Sequence, residues 1–142
     1  MRTIRAKPAW PVCAVLIQLC CSAPTRTPDP RNELPFGVVD VPSRGATVGP
    51  TAFVSGWAMD DGKIHVVKVY LDGRFVSEAR LGLERPDVSK AFPRYAHGTN
   101  AHGWGIEIDL RDLTGAHTVI VQATDDSGAT RDLGAVSLNV KG

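Results

Sequence analysis

Apolar and polar residues alternate with a period of two through most of this chain after residue 35. In "TAFVSGWAM" (51–59), Ala52, Val54, Gly56 and Ala58 alternate with Phe53, Ser55, Trp57 and Met59. In "IHVVKVYL" (64–71), Val67, Val69 and Leu71 share one face, and Val66, Lys68 and Tyr70 share the other. "WGIEIDL" (104–110) places Trp104, Ile106, Ile108 and Leu110 inward and Glu107 and Asp109 outward. "HTVIVQAT" (117–124) turns Val119, Val121 and Ala123 inward. Side chains on a strand point to opposite faces in turn, so each segment predicts a half-buried strand. "FGVVDV", "RFVSEARL" and "LGAVSLNV" complete a set of about seven. Asp72-Gly73 between two of them is a two-residue hairpin signal. Turn signals recur every 8–12 residues, and no 3.6-residue period is long enough for a substantial helix. The expected fold is all-β: an Ig-like antiparallel β-sandwich with one short helical turn near 86–92.

That turn is "RPDVSKAFP" (85–93). Pro86 suits the first turn of a helix, where a missing N–H costs nothing. Asp87 favours the positive end of the helix dipole. Val88 and Phe92 fall on one face and are expected to cap the open end of the sandwich, with Arg85 and Asp87 tying down loop backbone. In the competing reading, Arg85, Lys90, Arg94 and Tyr95 are presented to a ligand from a long loop.

The chain has 142 residues, room for one domain. Its net charge is +1, but Arg2, Arg5 and Lys7 stand at the head of the sequence. Without those three, 13 of the 16 basic residues face 15 acidic ones. That balance carries no electrostatic footprint for nucleic acid.

Those basic residues open an export-leader pattern: a positive start, an apolar run from Val12 to Cys21 broken by Gln18, then Ser22 and Ala23. The run is shorter than the ~20 residues of a spanning helix. All three cysteines, Cys13, Cys20 and Cys21, lie in this leader. A disulfide or zinc cluster within the folded part is therefore excluded. Cys20 and Cys21 are candidate lipidation sites, because bacterial lipoprotein leaders place the modified cysteine after such a run. Leu19 and Cys20 stand where a small residue is usual, so cleavage after Ser22 or Ala23 stays open. Residues 1–21 are thus expected to be a signal peptide of lipoprotein or ordinary type. Residues 22–35 read as a Pro-rich linker, and 36–142 as the domain. The expected location is the cell envelope, with membrane contact only through the lipid.

Four motifs in order resemble a bacterial Ig-like domain of exported and cell-surface proteins. They are G-W-A-x-D-D at 56–61, V-x-V-x-x-D-G at 67–73, R-P-D-V at 85–88 with Pro93 behind it, and G-x-H-T-x-x-V at 115–121. The resemblance runs from Pro35 to Val140. It implies an Ig-like sandwich serving as an accessory or interaction module without catalysis of its own.

Nothing in the sequence outlines a catalytic centre. The folded part has no cysteine nucleophile and no G-x-S-x-G elbow. The Asp-rich turns "MDDGK" and "TDDSGA" lack the alternating ligand loop of an EF-hand and read as Asx turns. His97 and His102 share a loop but have no evident third metal ligand, and His117 reads as a buried or capping histidine. No cofactor is expected. The candidate binding surface is Trp57, Tyr70, Arg85, Lys90, Arg94, Tyr95, His97 and His102, on the strand edges and the 93–103 loop. The expected partner is an envelope protein. The alternative is an envelope polysaccharide, which a row of exposed aromatic rings on one sheet would favour.

Overall fold

The computed structural model describes residues 29–142, and among these nine strands form. They are β1 (Phe36–Val41), β2 (Ala46–Val48), β3 (Thr51–Met59), β4 (Ile64–Leu71), β5 (Arg74–Glu78), β6 (Arg80–Leu83), β7 (Gly103–Asp109), β8 (Gly115–Asp125) and β9 (Thr130–Val140). One helix, α1 (Pro86–Ala91), and a 3-10 turn at Pro93–Tyr95 lie between β6 and β7. The strands build two sheets, a four-stranded one in the order β1-β3-β7-β6 and a five-stranded one in the order β2-β9-β8-β4-β5. This is an Ig-like β-sandwich. The candidate lipidation residues Cys20 and Cys21 lie outside the described residues.

The count exceeds the expected seven for two reasons. "RFVSEARL" reads as one strand but serves both sheets: β5 pairs with β4 and β6 pairs with β7. The switch falls at Ala79, which is buried and donates its N–H to the Val67 carbonyl (2.8 Å). The other addition is β2, three residues long, which pairs parallel with β9. The sandwich is therefore not purely antiparallel.

The alternation holds where it counts. Val54, Val67, Val69, Trp104, Val119, Val121 and Ala123 are all fully buried and meet between the sheets. The Asp72-Gly73 hairpin takes positive φ at both residues (49° and 79°), as a type I′ turn requires. Asp72 also accepts from the Thr118 N–H (2.9 Å) and lies 2.6 Å from His117 Nδ1. His117 thus braces the hairpin against β8. Its second ring nitrogen reaches the Thr114 carbonyl (3.2 Å).

The docked chain starts a few residues before Phe36. Pro35 is fully buried. Asn32 donates to Asp125 (2.7 Å), and Glu33 bonds both Arg94 (2.6 Å) and Tyr95 (2.7 Å).

Helix α1 lies where "RPDVSKAFP" places it, but its cover is different. Val88 is buried. Phe92 rests on Phe36 and Trp57 (5.6 and 5.3 Å between ring centroids). Trp57 alternates with the inward residues of β3, so this cover lies on the outer face of the four-stranded sheet, not over the open end of the sandwich. Arg85 fixes the segment through Asp87 (2.8 Å) and Asp40 on β1 (2.6 Å), and its N–H donates to the Asn100 carbonyl (2.7 Å). That pairing holds the Asp87 carboxyl down at about 2. Phe92→Asp is expected to lower stability by about 1–2 kcal/mol, the order of one half-buried aromatic contact. A urea titration reads this. An unchanged midpoint would remove the segment from the list of structural supports.

Candidate functional site

The candidate binding residues do not form one surface. Trp57 and Tyr95 join Phe36 and Phe92 in a cluster on the outer face of the four-stranded sheet. Its rings pack edge to face or tilted, at 4.8–5.9 Å. Rings engaged with one another in this way serve packing more than they offer a flat row. Arg94 lies over the Tyr95 ring (5.1 Å) and is paired with Glu33. Arg85 is spent on its two carboxylates. Lys90 is exposed on α1. Tyr70 packs against Phe75 in the other sheet.

Tyr95, His97 and His102 do come together, around a groove of about 550 Å³. That is within the ~300–1,000 Å³ range of ligand clefts. One wall is the end of β3 and the start of β4: Ala58, Met59, Asp60 and Ile64. Leu81 of β6 and Trp104 of β7 form another, and the loop from Tyr95 to His102 closes it. The loop is held in shape by its own bonds. His97 and Gly98 both take positive φ (49° and 73°) and reverse the chain. His97 Nε2 lies 3.1 Å from the Asp60 carbonyl oxygen, and His102 Nε2 lies 2.9 Å from that of Thr99. Ser89 of α1 donates to the same Thr99 oxygen (2.9 Å), and the Ala58 N–H donates to the His102 carbonyl (3.0 Å).

Among the described residues, Trp104 Nε1 and Asp60 Oδ1 are buried with no partner at full hydrogen-bond geometry, although the Asp61 side chain stands close to the Asp60 carboxyl. Leaving a buried donor or acceptor unmade costs about 1–3 kcal/mol each. The other Asp60 oxygen accepts from the Gly62 N–H (2.9 Å). Burial is the main cause that pushes the Asp60 carboxyl up to about 6, against the Gly62 bond; the negative charges of Asp125 and Asp61 add to it.

Reasoning from sequence placed Trp104 in the core but did not single out its N–H, and it read Asp60 as a turn residue and as one of four carboxylates available to a metal site. The parity of β3 carries the missing signal. Ala52, Val54, Gly56 and Ala58 face inward, and Asp60 is next in that series. Among the described residues, no group of three or more His, Cys, Asp or Glu is placed to hold a metal ion.

The raised Asp60 pKa has a consequence for stability. A carboxyl that ionises less readily when folded stabilises the fold fully below its unfolded pKa, near 3.8, and loses that contribution as pH rises through about 6. In urea titrations at pH 4, 5, 6 and 7, Asp60→Asn is expected to gain on the native protein as pH rises, with the gap levelling off above pH 7. A pH-independent gap would show that Asp60 titrates normally.

No family model matches the chain, and no curated protein matches it. Among solved structures, the chain is similar to the fibronectin(III)-like modules of Clostridium thermocellum CbhA, with a TM-score of 0.53 and 20% sequence identity. The match covers 76% of this chain and 47% of that chain, so it spans about half the length of its counterpart. At that identity the likeness bears on the fold alone, an Ig-like β-sandwich.

Proposed function

We propose that this chain is a non-catalytic interaction module of the bacterial cell envelope and that the groove beneath the 95–102 loop is its contact site. The groove, with Tyr95, His97 and His102 along a loop held in shape by its own bonds, carries the reading. A pre-formed concavity with a few convergent polar groups is the usual form of a binding site. Support for the envelope comes from the leader pattern of residues 1–21, with export followed by lipid attachment at Cys20 or Cys21. The resemblance of residues 35–140 to Ig-like domains of exported proteins points the same way. The ligand is an envelope protein or polysaccharide.

The test is recovery from a cell-envelope extract by the full chain with a C-terminal tag, split into protein and polysaccharide fractions. Leu81→Arg is the control: Leu81 lines the groove yet is 37% exposed, so a long cation there fills the mouth without disturbing the core. Specific recovery by the native chain, reduced at least tenfold by Leu81→Arg, is the expected result. Equal recovery by both moves the contact site elsewhere. Anchoring is read separately by detergent phase partition. The native chain is expected in the detergent phase and the Cys20→Ser/Cys21→Ser double variant in the aqueous phase.

A further inference from the structure

Both ring nitrogens of His117 face oxygens. Nδ1 lies 2.6 Å from Asp72 Oδ2, and Nε2 lies 3.2 Å from the Thr114 carbonyl oxygen. A carbonyl and an ionised carboxylate only accept, and a neutral imidazole carries a single N–H. Both contacts are hydrogen bonds at once only for the imidazolium. We propose that His117 is a protonation latch on the β4–β5 hairpin. As the imidazolium it ties the Asp72-Gly73 turn to β8 and to the Thr114 carbonyl; on losing its proton it loosens that turn.

The turn depends on Asp72 at three points. Its N–H donates to the Thr118 carbonyl (2.9 Å), its Oδ1 accepts from the Thr118 N–H (2.9 Å), and its Oδ2 meets His117. These bonds carry the β4–β8 pairing one residue past Leu71↔Val119. Beyond the turn, β5 is the last strand of its sheet and is held there by β4 alone. The His117 side chain is only 14% exposed, so water replaces a lost partner poorly. Whichever N–H the neutral ring keeps, its other nitrogen turns a lone pair on an oxygen. Few charges act on the pair. Arg74 on β5 stands near Asp72. Strand β9 sets Leu138 opposite His117, between Ser137 and Asn139, none of them charged. Arg111, in the loop before β8, is taken up by Asp109. The bond to Asp72 is the main cause that raises the His117 pKa above 6.5, and the Thr114 carbonyl adds to it against burial. The same bond, with that of the Thr118 N–H, holds the Asp72 carboxyl below its usual range. A group whose pKa is raised on folding stabilises the fold fully below its unfolded value, here 6.5, and loses that contribution as pH rises through the folded value. The latch is therefore closed in acid and opens in alkali, the histidine acting as the switch.

The experiment is an NMR pH titration of the His117 ring in the isotope-labelled full chain, joined to hydrogen exchange at the Asp72 and Thr118 amides. The ring is expected to titrate with a midpoint above 6.5. Protection factors, which remove the intrinsic pH dependence of exchange, are compared about one pH unit below and above that midpoint. Both amides are expected to lose about threefold or more of their protection on the alkaline side, as a local opening grows easier. Asp72→Asn is the control. Asn suits the φ of 49° at this turn, and its amide oxygen still accepts from Thr118, but it offers the imidazolium no charge. In that variant the midpoint should fall back toward 6.5 and the loss of protection should disappear. A native midpoint at or below 6.5 overturns the proposal, because the imidazolium is then not favoured by the fold. A raised midpoint with unchanged protection overturns it as well, since the proton would then not hold the turn. So does an Asp72→Asn variant that titrates and opens like the native chain.

Discussion

Trp104→Ala is expected to cost about 3–5 kcal/mol, the range for removing a large aromatic side chain from a packed core. Trp104 is fully buried between the sheets, at the β7 position opposite Gly56 of β3 and Leu81 of β6. In a domain of this size such a loss lowers the melting temperature by about 15 °C or more. Trp104→Phe is the informative companion. It keeps an aromatic ring and removes the unpaired N–H, so the lost packing is partly offset by relief of an unmade hydrogen bond. The expected cost is about 1–2 kcal/mol. Differential scanning calorimetry of both variants reads the contrast. Equal losses in the two would mean that a phenyl ring recovers none of the packing that the indole supplies.

The fold was largely legible because burial repeats every second residue in strands that cover a core on one side. Val119 and Val121 were turned inward by parity, Val67 and Val69 were placed together on one face, and all four are fully buried. The sheet switch at Ala79 was not legible. Alternation continues through "RFVSEARL", and nothing in the side chains marks where the backbone leaves β4 for β7. Strand β2 escaped for a different reason: three residues are too few to show a period.

The site was less legible than the fold. Its residues come from 58–64, 81–82 and 95–104, and only the pairings of β3 with β7 and β6 with β7 bring them together. Tyr95, His97 and His102 were found through their loop, which was already singled out for its length. Trp57 and Tyr70 were chosen as half-exposed aromatics. What sequence could not supply was the ring contacts that already occupy Trp57, or the absence of a partner for Trp104 Nε1. Both depend on where atoms of distant segments lie. Asp60 was within reach, since it follows the last residue of β3 and continues the inward series of Ala52, Val54, Gly56 and Ala58.

The same parity makes Gly56 the position where one added carbon should do the most damage. A Cβ there would lie 2.0 Å from the Val38 carbonyl oxygen and 2.8 Å from Trp104 Cζ2. The counterpart lies across the strand pair, where a Cβ on Gly37 would fall 2.1 Å from the Trp57 carbonyl oxygen. Each glycine leaves room for a backbone carbonyl of the other strand, so β1 crosses β3 more closely than any residue with a side chain permits. The oxygen cannot swing aside as a flexible side chain would, because β1 is held in register at Val38↔Trp57 and Val39↔Gly56. Gly56→Ala is therefore expected to cost about 3 kcal/mol or more, the upper end for overpacking a core. Gly134→Ala is the control. Its Cβ would meet only Val39 Cγ2, at an ordinary 3.5 Å, and the change is expected to stay within about 0.5 kcal/mol. Urea midpoints of the two variants decide the matter. If Gly56→Ala proves as mild as Gly134→Ala, then β1 yields easily. In that case the Trp104 wall of the groove is softer than its packing implies, since that carbon would also press on the Trp104 ring.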